Sequence, residues 1–215
     1  GLATDVPEGA PAVAVVGPAE VTRALVRSIL VQAAVANGPA DVGVGVLADA
    51  DAARAWDWCA WLPHTAHVVA GSLLAGSESR ARAVVDALGP EPDGPAPATA
   101  PATTSPARTT VVVVDDPVAL AARRSAARTL LRVAVDPASG TVPIVLVAAP
   151  EQVPASCALV VTVAPDGTLH APGLVDGPAS VAGMAEAVAR EAGRALAGLD
   201  DPEVDDPGRD LPAVV

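Results

Sequence analysis

The chain has 215 residues, of which 51% are hydrophobic, and a net charge of −12 from 13 basic and 25 acidic side chains. This length and apolar content are sufficient for a single domain with a full core. The acidic excess argues against binding to a nucleic-acid backbone, which needs clustered cations. Every basic residue is arginine, so the chain offers no lysine chemistry.

The cysteines and the apolar runs indicate a cytoplasmic location. Cys59 and Cys157 form no CxxC pair, which fits a reducing compartment. No apolar run reaches about 18 residues, so we expect no direct insertion into a membrane. Because the sequence begins without Met and ends in an acidic stretch, we expect it to be part of a longer protein.

The first predicted unit is a strand, a helix and a second strand. The run PAVAVVG predicts a strand at about 12–16 that ends at Gly17, and PAEVTRALVRSILVQAAVANG predicts a helix that ends at Gly38. DVGVGVLAD, at 41–49, predicts the second strand. This order favours a parallel sheet with a right-handed crossover.

The middle of the chain predicts further elements around a proline-rich segment. A helix is predicted at about 51–62, ended by Pro63, and is followed by a short strand HVVAG and a helix at about 78–88. The segment 89–108 is rich in proline and alanine, which predicts a flexible loop inserted within the domain. After it, TTVVVVDDP predicts a strand buried on both faces.

The second half completes the predicted fold. A helix is predicted at about 117–133, then a buried strand VPIVLVAA, a hairpin with its turn at Asp166-Gly167 and a last helix at about 179–199. Residues 200–215 are predicted to be an acidic tail or linker. We therefore expect one α/β domain over 1–199, a three-layer sandwich with a mainly parallel sheet and a β-hairpin in its C-terminal half.

The turn at Gly17 lies where a P-loop would bind phosphate. Against the pattern G-x-x-x-x-G-K-[ST], Gly17 fits the first glycine, but Thr22, Arg23 and Ala24 replace the second glycine, the lysine and the Mg²⁺ ligand. Threonine has a Cβ where backbone must approach phosphate, and alanine offers a metal no oxygen. Glu20 places a carboxylate in the first helical turn, where it can satisfy the positive end of the helix that would otherwise attract phosphate. An ordinary β-α turn is the first interpretation, and altered nucleotide binding is the alternative.

Two acids end the valine strand in the manner of a Walker B motif. Asp115 stands where that motif has its magnesium acid, and Asp116 where it has the acid that orients water. The pair together with Gly17 indicates P-loop ancestry and leaves turnover open. Asp116 can equally serve only as the N-cap of the helix that follows.

Four arginines follow in the next predicted helix. Arg124, Arg128 and Arg132 recur every four residues and so are predicted to lie along one face. This basic stripe is either a solvated face or a docking surface for an acidic neighbour.

No metal site or catalytic triad is predicted. His64 and His67 lie around a helix end with no third ligand near them in sequence. Cys59, on an apolar helix, is expected to be an inert buried thiol.

The tryptophans are confined to one short segment, WDWCAWLPH. In an α-helix Trp58 and Trp61 are about 60° apart, whereas Trp56 is roughly 160° from Trp58. We therefore expect Trp58 and Trp61 to face inward. Trp56 must be covered by another part of the chain or by a partner, and it is the ring we expect to meet a neighbour.

These residues resemble a known family. WDWCAWLPH, including Pro63 and His64, is preceded by VTRALVRSILVQAAVANGPADVGVGVL and followed by AHVVAGS. The combination resembles the FtsK/SpoIIIE-type ATPases that drive type VII secretion, the EccC/EssC group and its actinobacterial relatives. The tryptophan segment is the specific part of the match, and it lies in the first ATPase-like domain of that family.

The resemblance implies a RecA/FtsK-like P-loop fold in a membrane-anchored, cytoplasmic motor that uses ATP and Mg²⁺ in its parent protein. It implies contacts with other domains of the motor chain, with subunits of the membrane complex and with further copies in a homo-oligomer. Since the loop after Gly17 is degenerate, we expect no cofactor here and a non-catalytic coupling role. The alternatives are an active NTPase using Arg23 and Asp116, and a segment of a DNA translocase, which the charge disfavours.

Overall fold

A computed structural model describes residues 12–89, 108–136 and 139–198. Apart from its two end residues, the predicted loop at 89–108 lies outside these ranges, as does the predicted tail at 200–215. The strands are β1 Val13–Val16, β2 Val42–Ala48, β3 Ala66–His67, β4 Gly71–Ser72, β5 Leu74–Ala75, β6 Thr109–Asp115, β7 Thr141–Val147, β8 Leu159–Val163, β9 Thr168–His170 and β10 Ala179–Ser180. The α-helices are α1 Ala19–Ala36, α2 Ala50–Ala53, α3 Glu78–Leu88, α4 Pro117–Ala121, α5 Ala126–Val133 and α6 Glu186–Ala197, and 3₁₀ helices cover Arg54–Trp61, Pro63–Thr65 and Pro150–Gln152.

An eight-stranded sheet forms the centre of the fold. Its order is β10-β9-β8-β1-β7-β6-β2-β5, and β8 to β5 run parallel. The β8–β9 hairpin turns at Asp166-Gly167 as predicted, and β10 adds a further antiparallel strand. The small β3–β4 hairpin forms a separate sheet.

Helices cover both faces of the sheet, which confirms the predicted α/β class with helix, sheet and helix layers. One apolar cluster joins the sheet to α1, to the Arg54–Trp61 helix and to α6, and a second joins it to α3, α4 and α5. The valine strand serves both clusters, because alternate side chains of a strand point to opposite faces. Val113 packs in the first cluster, Val112 and Val114 pack in the second, and all three are fully buried.

Three predicted helices differ from the structure. The helix expected at 51–62 is a single α-turn followed by a 3₁₀ helix. The helix expected at 117–133 breaks into α4 and α5, because Ser125 accepts a hydrogen bond from the backbone N–H of Arg128 and so starts a new helix. The last helix begins at Glu186 instead of 179, since Ala179–Ser180 pairs with β9.

The connections from β1 and β7 diverge at the carboxyl edge of the sheet. β1 leads into α1 on one face, whereas β7 leads to a segment that packs Val153 against the other face. In open α/β sheets such a point of divergence between neighbouring strands is where ligands bind. The candidate site is therefore this edge of the sheet, where Gly17 follows β1 and Asp115 ends β6. Within the described ranges, no helix is both long and apolar enough to cross a bilayer.

Candidate functional site

The connection between β1 and α1 is too short to form a phosphate-binding loop. Only Gly17 and Pro18 lie between the end of β1 and the start of α1. The carbonyl of Pro18 already accepts hydrogen bonds from the backbone N–H groups of Val21 and Thr22, each at 3.0 Å. A P-loop needs its backbone N–H groups free to cradle phosphate. Here the corresponding part of the chain has become the first turn of a helix.

The three positions that depart from the P-loop pattern all lie inside α1. Thr22 is buried, and its hydroxyl donates to the carbonyl of Ala19 at 3.0 Å. Ala24 packs near Gly183, and its carbonyl accepts a hydrogen bond from Met184 N at 2.8 Å. These residues serve the packing of α1, so the sequence departures correspond to a different local structure.

Gly17 is required by its own packing. Its φ of +154° lies in the region that favours glycine, and a Cβ at this position would lie 2.3 Å from the carbonyl oxygen of Val163 in β8. Its N–H donates to the carbonyl of Val147 at 3.0 Å, which joins the end of β1 to the end of β7. The glycine therefore closes the crevice between these strands and has a structural reason that does not involve a ligand.

Arg23 and Asp115 form an ion pair across this edge. Nε of Arg23 donates to Oδ2 of Asp115 at 2.8 Å, and a second guanidinium nitrogen lies 3.4 Å from Oδ1. The side chains are 18% and 9% exposed, respectively. Arg23 lies in α1 and Asp115 at the end of β6, so the pair joins the helix layer to the sheet. The hydrogen bond with Asp115 raises the pKa of the Arg23 guanidinium.

Trp56 donates a second hydrogen bond to the same carboxylate. Its indole Nε1 lies 2.8 Å from Oδ2 of Asp115, and the ring is 2% exposed. A single buried oxygen thus accepts hydrogen bonds from α1 and from the Arg54–Trp61 helix. Charge-assisted hydrogen bonds of this length are among the stronger ones in proteins. The carboxylate joins three elements of the fold at the edge where a ligand would otherwise bind.

The neighbouring acids have local partners. Asp116 accepts a hydrogen bond from the backbone N–H of Ala119 at 2.7 Å and caps α4, as its predicted alternative role requires. Glu20 is exposed and lies 3.4 Å from a guanidinium nitrogen of Arg23. Glu20 therefore adds to the anionic surroundings of Arg23.

The residues at this edge do not fit Mg²⁺ and a nucleoside triphosphate. Asp115, at the position where a Walker B motif would have its magnesium acid, is held by a guanidinium and an indole, and Ala24 supplies no hydroxyl oxygen. Across the described residues, no group of three or more His, Cys, Asp or Glu side chains is placed to hold a metal ion. The cation beside Asp115 is the guanidinium of Arg23, so the protein itself supplies it. Arg23, Trp56 and Asp115, which we call the Asp115 cluster, hold α1 and the Arg54–Trp61 helix to the end of β6 and so form a structural lock.

The tryptophans do not divide as the α-helical geometry predicts. Trp58 is buried, as predicted. Trp56 is buried as well, so the chain itself covers it, which was the alternative to a neighbour. Trp61 is half-buried, with the guanidinium of Arg194 lying 5.2 Å from its ring centre. Gly193 of α6 lies against Trp58 and Trp61, and Trp56 is bonded to Asp115 at the sheet edge. The segment is tied into the domain from both sides.

The end of the tryptophan segment is also buried. Pro63 and His64 are buried, and Nε2 of His64 lies 2.9 Å from the carbonyl of Asn37 at the end of α1. Arg108 donates to the carbonyls of His64 and Ala66 at 2.8 and 3.0 Å. Burial lowers the pKa of this arginine. These contacts fix the chain as it leaves the segment and leave neither Pro63 nor His64 exposed to a partner.

Cys59 is buried, as predicted, in the apolar cluster that includes residues of α1 and α6. Burial raises the pKa of its thiol, and the nearby Arg27 opposes that effect. Arg27 is itself 4% exposed and donates to the carbonyl of Met184 at 3.1 Å, while its Nε has no hydrogen-bond partner in the part of the chain that is described. Sequence reasoning did not single out Arg27, because an arginine within a helical pattern is normally assigned to the surface.

The arginine stripe becomes part of a groove between α3 and α5. The break before α5 moves Arg124 into a turn, but Arg124 and Arg132 still line a common groove of about 410 Å³ together with Arg82 of α3. Arg128 is absent from its lining. Arg82 was not predicted, because its proximity depends on the packing of two helices that are distant in sequence.

The contact of Trp56 with Asp115 was not predicted from the sequence. A buried carboxylate at the end of a strand needs donors, and an indole N–H is a donor without an acceptor function. That chemistry was available as a signal, but the 59-residue separation of Trp56 and Asp115 concealed their contact.

The chain matches no protein-family model and no curated protein sequence. Its candidate function therefore rests on the residues and contacts described above.

Proposed function

We propose that this chain is a non-catalytic, RecA-like P-loop domain that acts as a structural and regulatory coupler in a membrane-attached, FtsK/SpoIIIE-type protein-secretion motor. The observation that supports it most strongly is that Asp115 accepts hydrogen bonds from both Arg23 and Trp56 at the edge of the sheet. This carboxylate stands where a Walker B acid would organise Mg²⁺. The tryptophan segment supports the family assignment.

The short β1–α1 connection gives the second argument for a non-catalytic role. Since the N–H groups of Val21 and Thr22 are used inside α1, phosphate would have to unwind the first helical turn to bind. It would also have to displace Arg23 from a partly buried ion pair. Both costs oppose nucleotide binding, and they disfavour the alternative of an active NTPase that uses Arg23 and Asp116.

A coupler needs rigid links between its surfaces, and the Asp115 cluster supplies one. Through a single carboxylate it connects α1 and the tryptophan segment, while α6 packs on both of these elements. A displacement of α6 by a neighbouring domain would therefore be transmitted to the sheet edge through packed, hydrogen-bonded contacts. In the proposed motor, these internal contacts relay a displacement between the surfaces that meet the membrane-proximal and motor neighbours.

Calorimetric titration with Mg-ATP, together with a phosphate-release assay, tests the non-catalytic role. We expect neither saturable heat nor turnover above the buffer rate, and the same result for Asp116→Ala, because Asp116 caps α4. Micromolar binding with turnover that Asp116→Ala abolishes would establish the active NTPase instead.

Two further observations test the context of this segment and the alternative of a DNA translocase. The reading frame around this segment should encode membrane helices before it and intact G-x-x-x-x-G-K-[ST] loops after it. The net charge of −12 predicts no shift of duplex DNA in a gel, even at low salt. A salt-sensitive shift would favour the translocase.

A further inference from the structure

The groove between α3 and α5 is a basic surface on an acidic protein. Its lining includes Arg82 and Asp86 from α3, and Arg124, Ser125 and Arg132 from the start and the body of the α5 region. This basic groove lies on the face of the sheet opposite to α6, since α3 and α5 belong to one apolar cluster and α6 to the other.

Two of its three guanidinium groups have no acidic partner among the described residues. Arg82 pairs with Glu78 at 2.9 Å, whereas Arg124 and Arg132 are exposed and form no ion pair there. The closest partner of Arg132 is the hydroxyl of Thr129 at 3.0 Å. Glu78 also accepts from the N–H of Ala126 at 3.1 Å, so its carboxylate already serves the start of α5. Within the described residues, the groove therefore presents two guanidinium groups without an acidic partner, Arg124 and Arg132, beside the paired Arg82 and Glu78.

The lining favours an extended acidic peptide over a compact anion. Asp86 lies in the groove and would repel a phosphate group. A peptide with several acids and one cation can match both the arginines and Asp86. The sequence DDPEVDDPGRD, at 200–210 of this chain, has six acids and one cation, Arg209.

We propose that the basic groove binds the acidic segment 200–210 of a second copy of this chain. The acids pair with Arg124 and Arg132, and Arg209 faces Asp86. Such a contact joins unlike surfaces, so it assembles copies head to tail. This inference rests on the proposed coupling function in one respect: it takes a second copy of the chain as the partner to which the domain is coupled.

A contact between copies is favoured over one within a single chain by the reach of the segment. The last described residue, Gly198, follows α6, which lies across the sheet from the groove. Helix layers lie about 10 Å from each face of a sheet, and an extended chain covers about 3.3 Å per residue. The chain from Gly198 to Asp205, at the centre of the segment, therefore reaches about 23 Å when fully extended, only just enough to pass both helix layers. The segment of a neighbouring copy has no such limit.

Sedimentation velocity of the full chain over a range of concentrations tests the proposal. We expect reversible self-association that weakens with added salt. A groove variant, Arg124→Glu with Arg132→Glu, should weaken association about tenfold or more, because each exposed charge pair contributes a factor of a few and reversal adds repulsion. The matched control, Arg54→Glu with Arg123→Glu, makes the same charge change at exposed positions outside the groove and should leave association close to that of the parent chain.

A mixing experiment identifies the segment as the occupant. A segment variant, Asp200→Asn, Asp201→Asn, Asp205→Asn and Asp206→Asn, should fail to associate alone. Its mixture with the groove variant should form a dimer, since each then supplies the part that the other lacks. A chain that stays monomeric at all concentrations, an association that ignores both variants, or a mixture that does not recover would overturn the proposal. Stabilisation by inorganic phosphate without self-association would overturn it in favour of a small-anion site. Neither result depends on nucleotide binding, so this inference and the non-catalytic role can fail separately.

Discussion

Removal of Arg23 should destabilise the fold through the carboxylate that it leaves behind. In Arg23→Met the Asp115 side chain, 9% exposed, keeps only the hydrogen bond from Trp56. Breaking a buried ion pair by removing one partner costs about 3–5 kcal/mol. Arg23 is 18% exposed and partly solvated, so we expect a loss of about 2–4 kcal/mol in the free energy of unfolding.

The double variant distinguishes a pair from two independent residues. Asp115→Leu alone should cost about 2–4 kcal/mol, because it leaves the Trp56 indole without its acceptor and Arg23 without its partner. Arg23→Met with Asp115→Leu removes both charges together, so its cost should be about 1–3 kcal/mol, well below the sum of the single costs.

Urea unfolding followed by circular dichroism measures these differences without relying on the tryptophans. Arg123→Met is the control, since its side chain is exposed and lies outside the cluster, and it should change stability by less than about 0.5 kcal/mol. A similarly small effect of Arg23→Met, or strict additivity in the double variant, would refute the idea that the ion pair locks this edge.

Three further results follow from burial. Trp56→Ala should lower the free energy of unfolding by about 3–5 kcal/mol, because its ring is 2% exposed. Trp61→Ala should lower it clearly less, since Trp61 is half-buried. Urea unfolding measures both losses, and equal values would contradict the observed packing. In the native protein a thiol reagent should modify Cys157, whose pKa burial raises to about 11, before the fully buried Cys59, and both should react at one rate in denaturant; faster native labelling of Cys59 would contradict its burial. Burial, with a smaller contribution from Arg108, lowers the pKa of His67 below 6.5, so His67 should titrate below that value by NMR. The stability that neutral His67 contributes is complete above about pH 6.5 and is lost as the pH falls through the lower folded-state pKa. His67→Asn should therefore reduce the pH dependence of the free energy of unfolding. An NMR titration midpoint above 6.5 would contradict the assigned surroundings of His67.

The features that were predicted from sequence depend on neighbouring residues. Four valines between polar ends specify a strand buried on both faces, and Asp116 before Pro117 specifies a helix cap. The turn at Asp166-Gly167 likewise follows from its own residues, with Gly167 at a φ of +82°. In each case the local pattern and the tertiary structure agree, so the sequence was sufficient.

The features that were missed depend on contacts between distant residues. The tryptophan segment adopts 3₁₀ geometry, which changes the angular spacing of the rings from that of an α-helix. The partners Arg23 and Asp115 are 92 residues apart, and only the strand order brings them together. The break before α5 similarly depends on Ser125, whose hydroxyl contacts α4 at Ala119 as well as capping α5.

The most direct measurement of the central claim is the indole N–H signal of Trp56 in an NMR titration with Mg-ATP. The three tryptophans give three indole signals, which single Trp→Phe variants assign, and the signal of Trp56 reports its hydrogen bond to Asp115. We expect this signal to stay unchanged up to millimolar Mg-ATP, because the carboxylate is already held by Arg23 and Trp56. A saturable shift that requires Mg²⁺ would show that the cluster opens to admit a nucleotide, and it would contradict the assignment of this edge as a structural lock.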